Sequence, residues 1–305
     1  MRKPDLNEVK TAVDAIPQSI VNEIQKTLSD SLDKCGLYYR IFSRRKSGDS
    51  AMEKIRRKGY VDSGKKMQDL IGVRIALYFK DDIEFCQKLV GKDFSIDEEN
   101  TVRDAADRST FQAERLNLIC RMPKDTISHL KSNGIWQYPI DKTFELQIRT
   151  IFSEGWHEVE HDLRYKSQNE WTDYPELARQ LNSVLATLET CDWAILHVFD
   201  TLAYQKYKNG EWASMLRNHL RIRMNDNCLS EEIRGLFDRN PELAKSFFRT
   251  ERDKLLYQLL EVPGFPKKLD NVVYFMNEFF VHNDEISAIT PDVLKEMWGC
   301  GITIR

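Results

Sequence analysis

The sequence predicts an α/β chain whose first half mixes strands with helices and whose second half is helical throughout. Three observations carry this. Phe144-Glu145-Leu146-Gln147-Ile148-Arg149 alternates apolar and polar residues, the period of a strand with one buried face. Ile71 to Phe79 is a run of apolar and β-branched residues, the composition of a central strand. From about Trp171 onward apolar residues recur at helical spacing.

Taken in order, residues 4–35 read as helix, with Ile20, Ile24, Leu28 and Leu32 as an apolar stripe, Pro17 dividing two helices and Gly36 ending the second. Residues 41–58 are strongly basic. Within them Ser47-Gly48-Asp49-Ser50 offers a helix N-terminus, and Arg44, Lys46 and Lys54 beside it would form an anion site; a solvated charged face is the plainer alternative. Asp69 stands just before the strand run from Ile71, where a carboxylate can hold a divalent cation or merely cap a turn. Ile83 to Val90 reads as helix and Leu116 to Met122 as strand.

The stretch Thr143 to Lys166 organises the chain. Its strand would carry Glu145, Gln147 and Arg149 in line on one face, about 6–7 Å apart, and it leads into a helix bearing Trp156, Glu160 and His161. The same helix contains His157-Glu158-Val159-Glu160-His161, a match to the zinc-peptidase pattern H-E-x-x-H. No third ligand stands in an obvious context downstream, so the peptidase reading is the weaker one.

Beyond Trp171, Leu177, Leu181, Leu185 and Leu188 lead into Cys191-Asp192-Trp193, and Lys208-Asn209-Gly210 makes a break. Helices are expected at Trp212 to Met224, Ser230 to Phe237, Pro241 to Leu260, Leu269 to Phe280 and Pro291 to Trp298. A hydrophobic content of 41% suffices for a real core, and a net charge of −3 argues against a dedicated nucleic-acid binder. The six cysteines lack C-x-x-C spacing and read as reduced thiols. MRKPDLNEVK lacks the apolar segment of a signal peptide and no apolar run approaches 18 residues, so a soluble cytoplasmic protein without membrane contact is expected.

Several motifs together resemble the synthetase domain of the RelA/SpoT family, particularly its small alarmone synthetases and their toxin relatives. Glu145, Gln147, Ile148, Arg149 and Thr150 match E-x-Q-I-R-T, and Trp156, Glu160, His161, Tyr165 and Lys166 match the segment that follows it. Asp69, Leu70, Gly72 and Arg74 match D-L-x-G-x-R, and Arg44, Lys46, Ser47 and Lys54 match the family's basic segment. Between 98 and 123 the chain departs from the pattern: Phe111 falls at the tyrosine that stacks on the acceptor's guanine, and Arg115 at a histidine.

The resemblance implies a nucleotidyltransferase-like mixed sheet flanked by helices, followed by an all-helical region. Together with the helical pattern of the second half, this gives expected domains at 1–169 (synthetase), 170–209 (helical extension) and 210–305 (regulatory or partner-binding helices), the last of which the resemblance does not reach. The implied activity is transfer of the β,γ-pyrophosphate of ATP to a ribose 3′-hydroxyl, with GDP or GTP as default acceptor. In that reading Asp69 and Glu145 hold Mg²⁺ (or Mn²⁺) and are catalytic together with Arg44 and Lys46. Arg44 packs on the adenine of ATP, and Lys46, Ser47, Lys54 and Arg74 bind its phosphate end. Phe111, Arg115, Gln147 and Arg149 meet the acceptor, and His161 and Lys166 lie behind the site. Alternatives are a toxin-type enzyme acting on the tRNA 3′ end or adenine nucleotides, and a non-catalytic nucleotide sensor. A regulatory protein bound by the C-terminal helices and a homo-oligomer are further expected associations.

Overall fold

The computed structural model describes residues 6–104, 115–262 and 264–301, divided into two compact units: Met1–Ser29 with Tyr39–Thr190, and Asp30–Tyr38 with Cys191–Arg305. The first unit is built on a five-stranded sheet, β1 (Tyr39–Arg45), β2 (Ile71–Leu77), β3 (Val102–Asp104), β4 (Arg115–Arg121) and β5 (Thr143–Thr150). The spatial order is β1-β2-β5-β4-β3, with β2 and β5 parallel and every other pair antiparallel. The mixed sheet with flanking helices and the helical second unit agree with the expected fold class.

Alternation fixes which face is which. Ile71, Val73 and Ile75 of β2 and Phe144, Leu146 and Ile148 of β5 are buried, whereas Gly72, Arg74, Glu145 and Gln147 face the other side and remain half-buried. Each fully buried side chain of this size contributes about 1.5–3 kcal/mol through apolar burial. Helices α1 (Leu6–Asp14) and α2 (Gln18–Cys35) precede the sheet, and the break between them falls at Pro17 as expected. Helix α3 (Gly48–Arg57) and the single turn α4 (Tyr60–Ser63) join β1 to β2. Helix α5 (Asp82–Asp93) crosses toward β3, and the Phe94 ring beyond it meets Phe144 edge-on at 5.1 Å. Helix α6 (Lys124–Ser132) links β4 to β5, and α7 (Ile151–Val159) leaves β5 directly through Thr150, whose Oγ1 accepts from the Ser153 amide at 3.1 Å.

Two features of this unit were not apparent in the sequence pattern. Tyr39–Arg45 is a strand rather than only a charged stretch, and residues 160–164 continue α7 as one π-helical turn. That wider turn changes the spacing past Glu160: the His161 ring stacks on Tyr165 at 5.8 Å, while buried Trp156 donates to the Leu181 carbonyl at 3.3 Å.

In the second unit Phe237, Phe247 and Phe275 are fully buried among the helices Trp212–Leu220, Glu231–Arg239, Pro241–Phe248, Arg252–Leu260, Leu269–Met276, Asp284–Ile289 and Asp292–Gly301. The expected helix over Pro241 to Leu260 is two, broken at 249–251, where Arg252 turns inward and donates to the Leu220 carbonyl at 2.6 Å. The division of the chain also differs from the boundaries expected at 169 and 209. A continuous helix, Pro175–Lys208, fills the interval between those positions, and the compact units part within it, between Thr190 and Cys191. Residues 30–38 belong to the second unit, where the Gly36 carbonyl accepts from the Arg223 amide at 2.6 Å and the Cys35 thiol reaches the Leu256 carbonyl at 3.8 Å. Cys35, Cys86, Cys120, Cys191 and Cys228 are free, and burial pushes the Cys120 thiol up to about 12. Among the described residues no helix is long and apolar enough to cross a membrane.

Candidate functional site

The open face of the sheet presents polar side chains in rows set by strand register. Arg44, Gly72, Glu145 and Ile119 lie side by side across β1, β2, β5 and β4, and the next row is Phe42, Arg74, Gln147 and Asn117. A cleft opens over these rows, lined by Arg44, Gly72, Arg74, Glu145, Gln147 and their neighbours on β1 and β2. Arg44, Arg74, Glu145 and Gln147, all singled out from sequence, therefore meet around one space. Glu145 accepts a hydrogen bond from the Asn117 side-chain amide at 3.2 Å.

A second cluster adjoins it at the mouth of β2, where the Lys46 amide donates to the Leu70 carbonyl at 2.8 Å and so prolongs the β1–β2 ladder. Asp69 Oδ2 is met by Lys54 Nζ at 2.6 Å and Lys46 Nζ at 3.2 Å, with all three side chains largely sheltered. Burial alone would raise the Asp69 carboxyl; the hydrogen bond from Lys54 and the charge of Lys46 outweigh it and hold the group below the usual carboxylate range. Oδ1 of Asp69 is buried and makes no hydrogen bond, as is the side-chain oxygen of Asn117 beside Glu145. Unsatisfied oxygens of this kind suit a hard cation, which takes carboxylate and amide oxygen ligands.

The remaining basic residues of 41–58 divide by task. Arg45 Nη1 donates to the carbonyls of Val13, Asp14 and Ile16 at 2.6, 2.8 and 2.9 Å and so caps the end of α1. Ser47 is the N-cap of α3, its Oγ accepting from the Ser50 amide at 3.3 Å. At that same helix end the Asp14 carboxylate accepts from the Gly48 amide at 2.9 Å, so the chain's own anion sits where the sequence placed a ligand phosphate. Gly48 permits this approach: a Cβ there would lie 2.6 Å from the Lys10 carbonyl oxygen.

Arg74 and Arg149 are held by α7. Arg74 pairs with Glu154 at 3.0 Å and also with Glu158, while buried Arg149 donates to Gln147 at 2.9 Å and lies 3.5 Å from Glu154. Glu154 thus joins two sheet arginines to the helix, a role no sequence motif announced. Glu158, the glutamate of the H-E-x-x-H match, is committed to Arg74, and Glu160 pairs with Arg164 at 3.1 Å. His161 and Lys166 flank exposed Asp162 at 2.8 and 2.7 Å, away from the cleft lining; the hydrogen bonds from Lys166 and then His161 lower that carboxyl to about 2. Among the described residues no group of three or more His, Cys, Asp or Glu side chains is arranged to hold a metal. Phe111 lies outside the described residues. Arg115 opens β4 opposite Asp104, and its side chain lies outside them too.

Fold and site together define an α/β domain with a charged cleft on the open face of a mixed five-stranded sheet. More particularly, residues 43–170 match the family model described as a region found in RelA / SpoT proteins. The chain is 30% identical over 120 residues to GTP pyrophosphokinase YjbM of Bacillus subtilis (strain 168); the match covers 38% of this chain and 52% of that protein, so the chain spans about half the length of its curated relative. Solved structures with a similar chain path include the Bacillus subtilis small alarmone synthetase 1 bound to its product pppGpp (TM-score 0.47, 22% identity, 59% of this chain and 91% of that one). The small alarmone synthetase 2 of the same organism is another (TM-score 0.46, 23% identity, 63% and 95%).

Proposed function

We propose that this chain is an ATP-dependent pyrophosphokinase that moves the β,γ-pyrophosphate of a donor nucleotide onto the ribose 3′-hydroxyl of GDP or GTP. The observation that carries the reading is the meeting of Arg44, Arg74 and Glu145 in one cleft beside the Lys46–Asp69–Lys54 cluster, within the segment that matches the RelA/SpoT region. The name of the curated relative, a GTP pyrophosphokinase, supports the guanine acceptor.

Phosphoryl-type transfer asks the protein mainly for positioning and for charge placed where phosphate charge develops. Lys46 and Lys54 supply two ammonium groups already drawn together by Asp69, and they hold the donor's phosphates. Arg44 offers a planar guanidinium at the cleft edge for the donor base. Glu145, oriented by Asn117, accepts the proton of the 3′-hydroxyl as its oxygen bonds to the β-phosphorus, and the bond to the bridging oxygen breaks to release AMP. Mg²⁺, with Mn²⁺ as a substitute, would be held by Asp69 and Glu145, whose donor set fits a hard cation; when bound it neutralises phosphate charge and polarises the transferred group. Arg149, tied to Gln147 and Glu154, orders the strand end, and Gln147 is the member of that pair that faces the acceptor. The helical unit is assigned regulation or recruitment.

The test is incubation with γ-labelled ATP and separate acceptors: GDP, GTP, adenine nucleotides and deacylated tRNA. Label appearing on GDP or GTP with stoichiometric AMP is the expected result. Label on tRNA alone replaces the acceptor with a toxin-type substrate, and no transfer to any acceptor overturns the enzymatic reading.

A further inference from the structure

Phe42 is 54% exposed, a large apolar side chain among the charged and polar residues that line the cleft. The outward positions of β1 are Arg40, Phe42 and Arg44, so a strand that turns two guanidinium groups to water turns a phenyl ring with them. Register sets Phe42 against Arg74, and both line the cleft with Arg44 and Glu145. Between Arg44 and Glu145 in the adjoining row lies Gly72, whose φ is outside the left-handed region; a Cβ added there would meet nothing within 4 Å. Glycine is therefore not needed at this position for backbone freedom or to avoid a clash. Its effect is to leave a hollow, walled by one aromatic ring and two guanidinium groups.

A flat hollow with such walls matches a planar aromatic ligand, since bases stack on phenyl faces and on guanidinium planes. We infer that Phe42, with the hollow over Gly72, is the stacking platform for the purine of the donor nucleotide. The inference rests on the pyrophosphokinase reading and deepens it. The donor rather than the acceptor is indicated because Arg44 is followed two residues later by Lys46, which stands on Asp69 with Lys54. A base over Gly72 thus points its phosphates at the ammonium pair. Phe42 adds the base-recognising face that Lys46 and Lys54, as point charges, cannot provide.

The test separates base from phosphate. ATP, GDP and inorganic tripolyphosphate are titrated, each with Mg²⁺, against the full-length wild type and the variants Phe42→Ala, Phe42→Tyr, Gly72→Val and Lys54→Ala. Phe42→Ala and Gly72→Val should weaken ATP by roughly tenfold or more, the scale of one lost base–aromatic contact, and leave tripolyphosphate unchanged. Phe42→Tyr should keep ATP affinity, and Lys54→Ala should weaken both ligands. Unchanged ATP binding by Phe42→Ala overturns the platform while leaving the pyrophosphokinase reading standing, as does an equal loss of ATP and tripolyphosphate. A loss confined to GDP assigns the ring to the acceptor and overturns the donor assignment. A wild type that binds neither ATP nor tripolyphosphate overturns both readings.

Discussion

The side-chain amide of Asn117, on β4, donates to the carboxylate of Glu145, on β5, at 3.2 Å, while its own carbonyl oxygen is buried without a partner. The two residues occupy adjacent rows of the open face, so the amide reaches diagonally to Glu145. Losing a hydrogen bond to a charged group costs about 1.5–3 kcal/mol. Asn117→Ala should therefore lower kcat for pyrophosphate transfer roughly ten- to a hundredfold, with little change in the KM for ATP. Steady-state kinetics checks this; a rise in the ATP KM at constant kcat would place Asn117 in donor binding instead.

Asp69 makes acid stability a readout of the lysine cluster. A carboxyl held below its ordinary value of 3.8 stabilises the fold at pH above that value and loses the contribution as pH falls through its own lower one. Asp69→Asn should lower Tm at neutral pH, and the gap to wild type should close progressively as the pH falls below 3.8. Thermal melts across that range give the answer, and a gap independent of pH would mean that the lysines do not govern Asp69.

Glu154 binds Arg74 and approaches Arg149, and both its side chain and that of Arg149 are nearly buried. Removing one partner of a buried ion pair costs about 3–5 kcal/mol because the other charge is left uncompensated. Glu154→Ala should lose stability toward the low end of that range, since Arg149 keeps Gln147 and Arg74 keeps Glu158. Urea denaturation measures the loss; a cost below about 1 kcal/mol, the scale of a surface pair, would contradict the burial argument.

Removing divalent cations with EDTA should abolish transfer, and Mg²⁺ or Mn²⁺ should restore it. His157→Ala should leave activity and metal requirement in place, because the glutamate beside it serves Arg74. Stoichiometric zinc in the purified protein that disappears with His157→Ala would reverse this assignment.

The parts of the fold legible in the sequence are those where one local rule decides. Strands β2 and β5 announce themselves by an apolar run and a period of two, and Glu145 by standing on the polar side of that period. β1 was obscured because its outward face carries arginines, so its composition reads as a charge run before it reads as a strand. The task of Arg45 could not be read at all: its carbonyl partners lie 29 to 32 residues earlier and are backbone atoms that carry no residue identity. The same distance hides Glu154, which answers to Arg74, 80 residues away. Asn117 did leave a trace. It is the lone polar residue in Leu116-Asn117-Leu118-Ile119-Cys120, and a polar group inside an apolar strand calls for a partner.

Residues 30–38 pack with a unit otherwise made of residues 191–305, so that unit takes one segment from within the sheet unit's sequence and the rest from after it. During translation, Cys35, Gly36 and Tyr38 leave the ribosome well before the residues that receive them, Leu256, Arg223 and Ile222. Domains made of one continuous segment fold as they emerge; this helical unit has to wait, with the apolar end of α2 uncovered until the chain has been made at least as far as Ile222. The interval is a window for chaperone capture. A stalled ribosome or a chain cut before residue 222 would release the sheet unit with that segment still bare, a species more prone to aggregate than either finished unit.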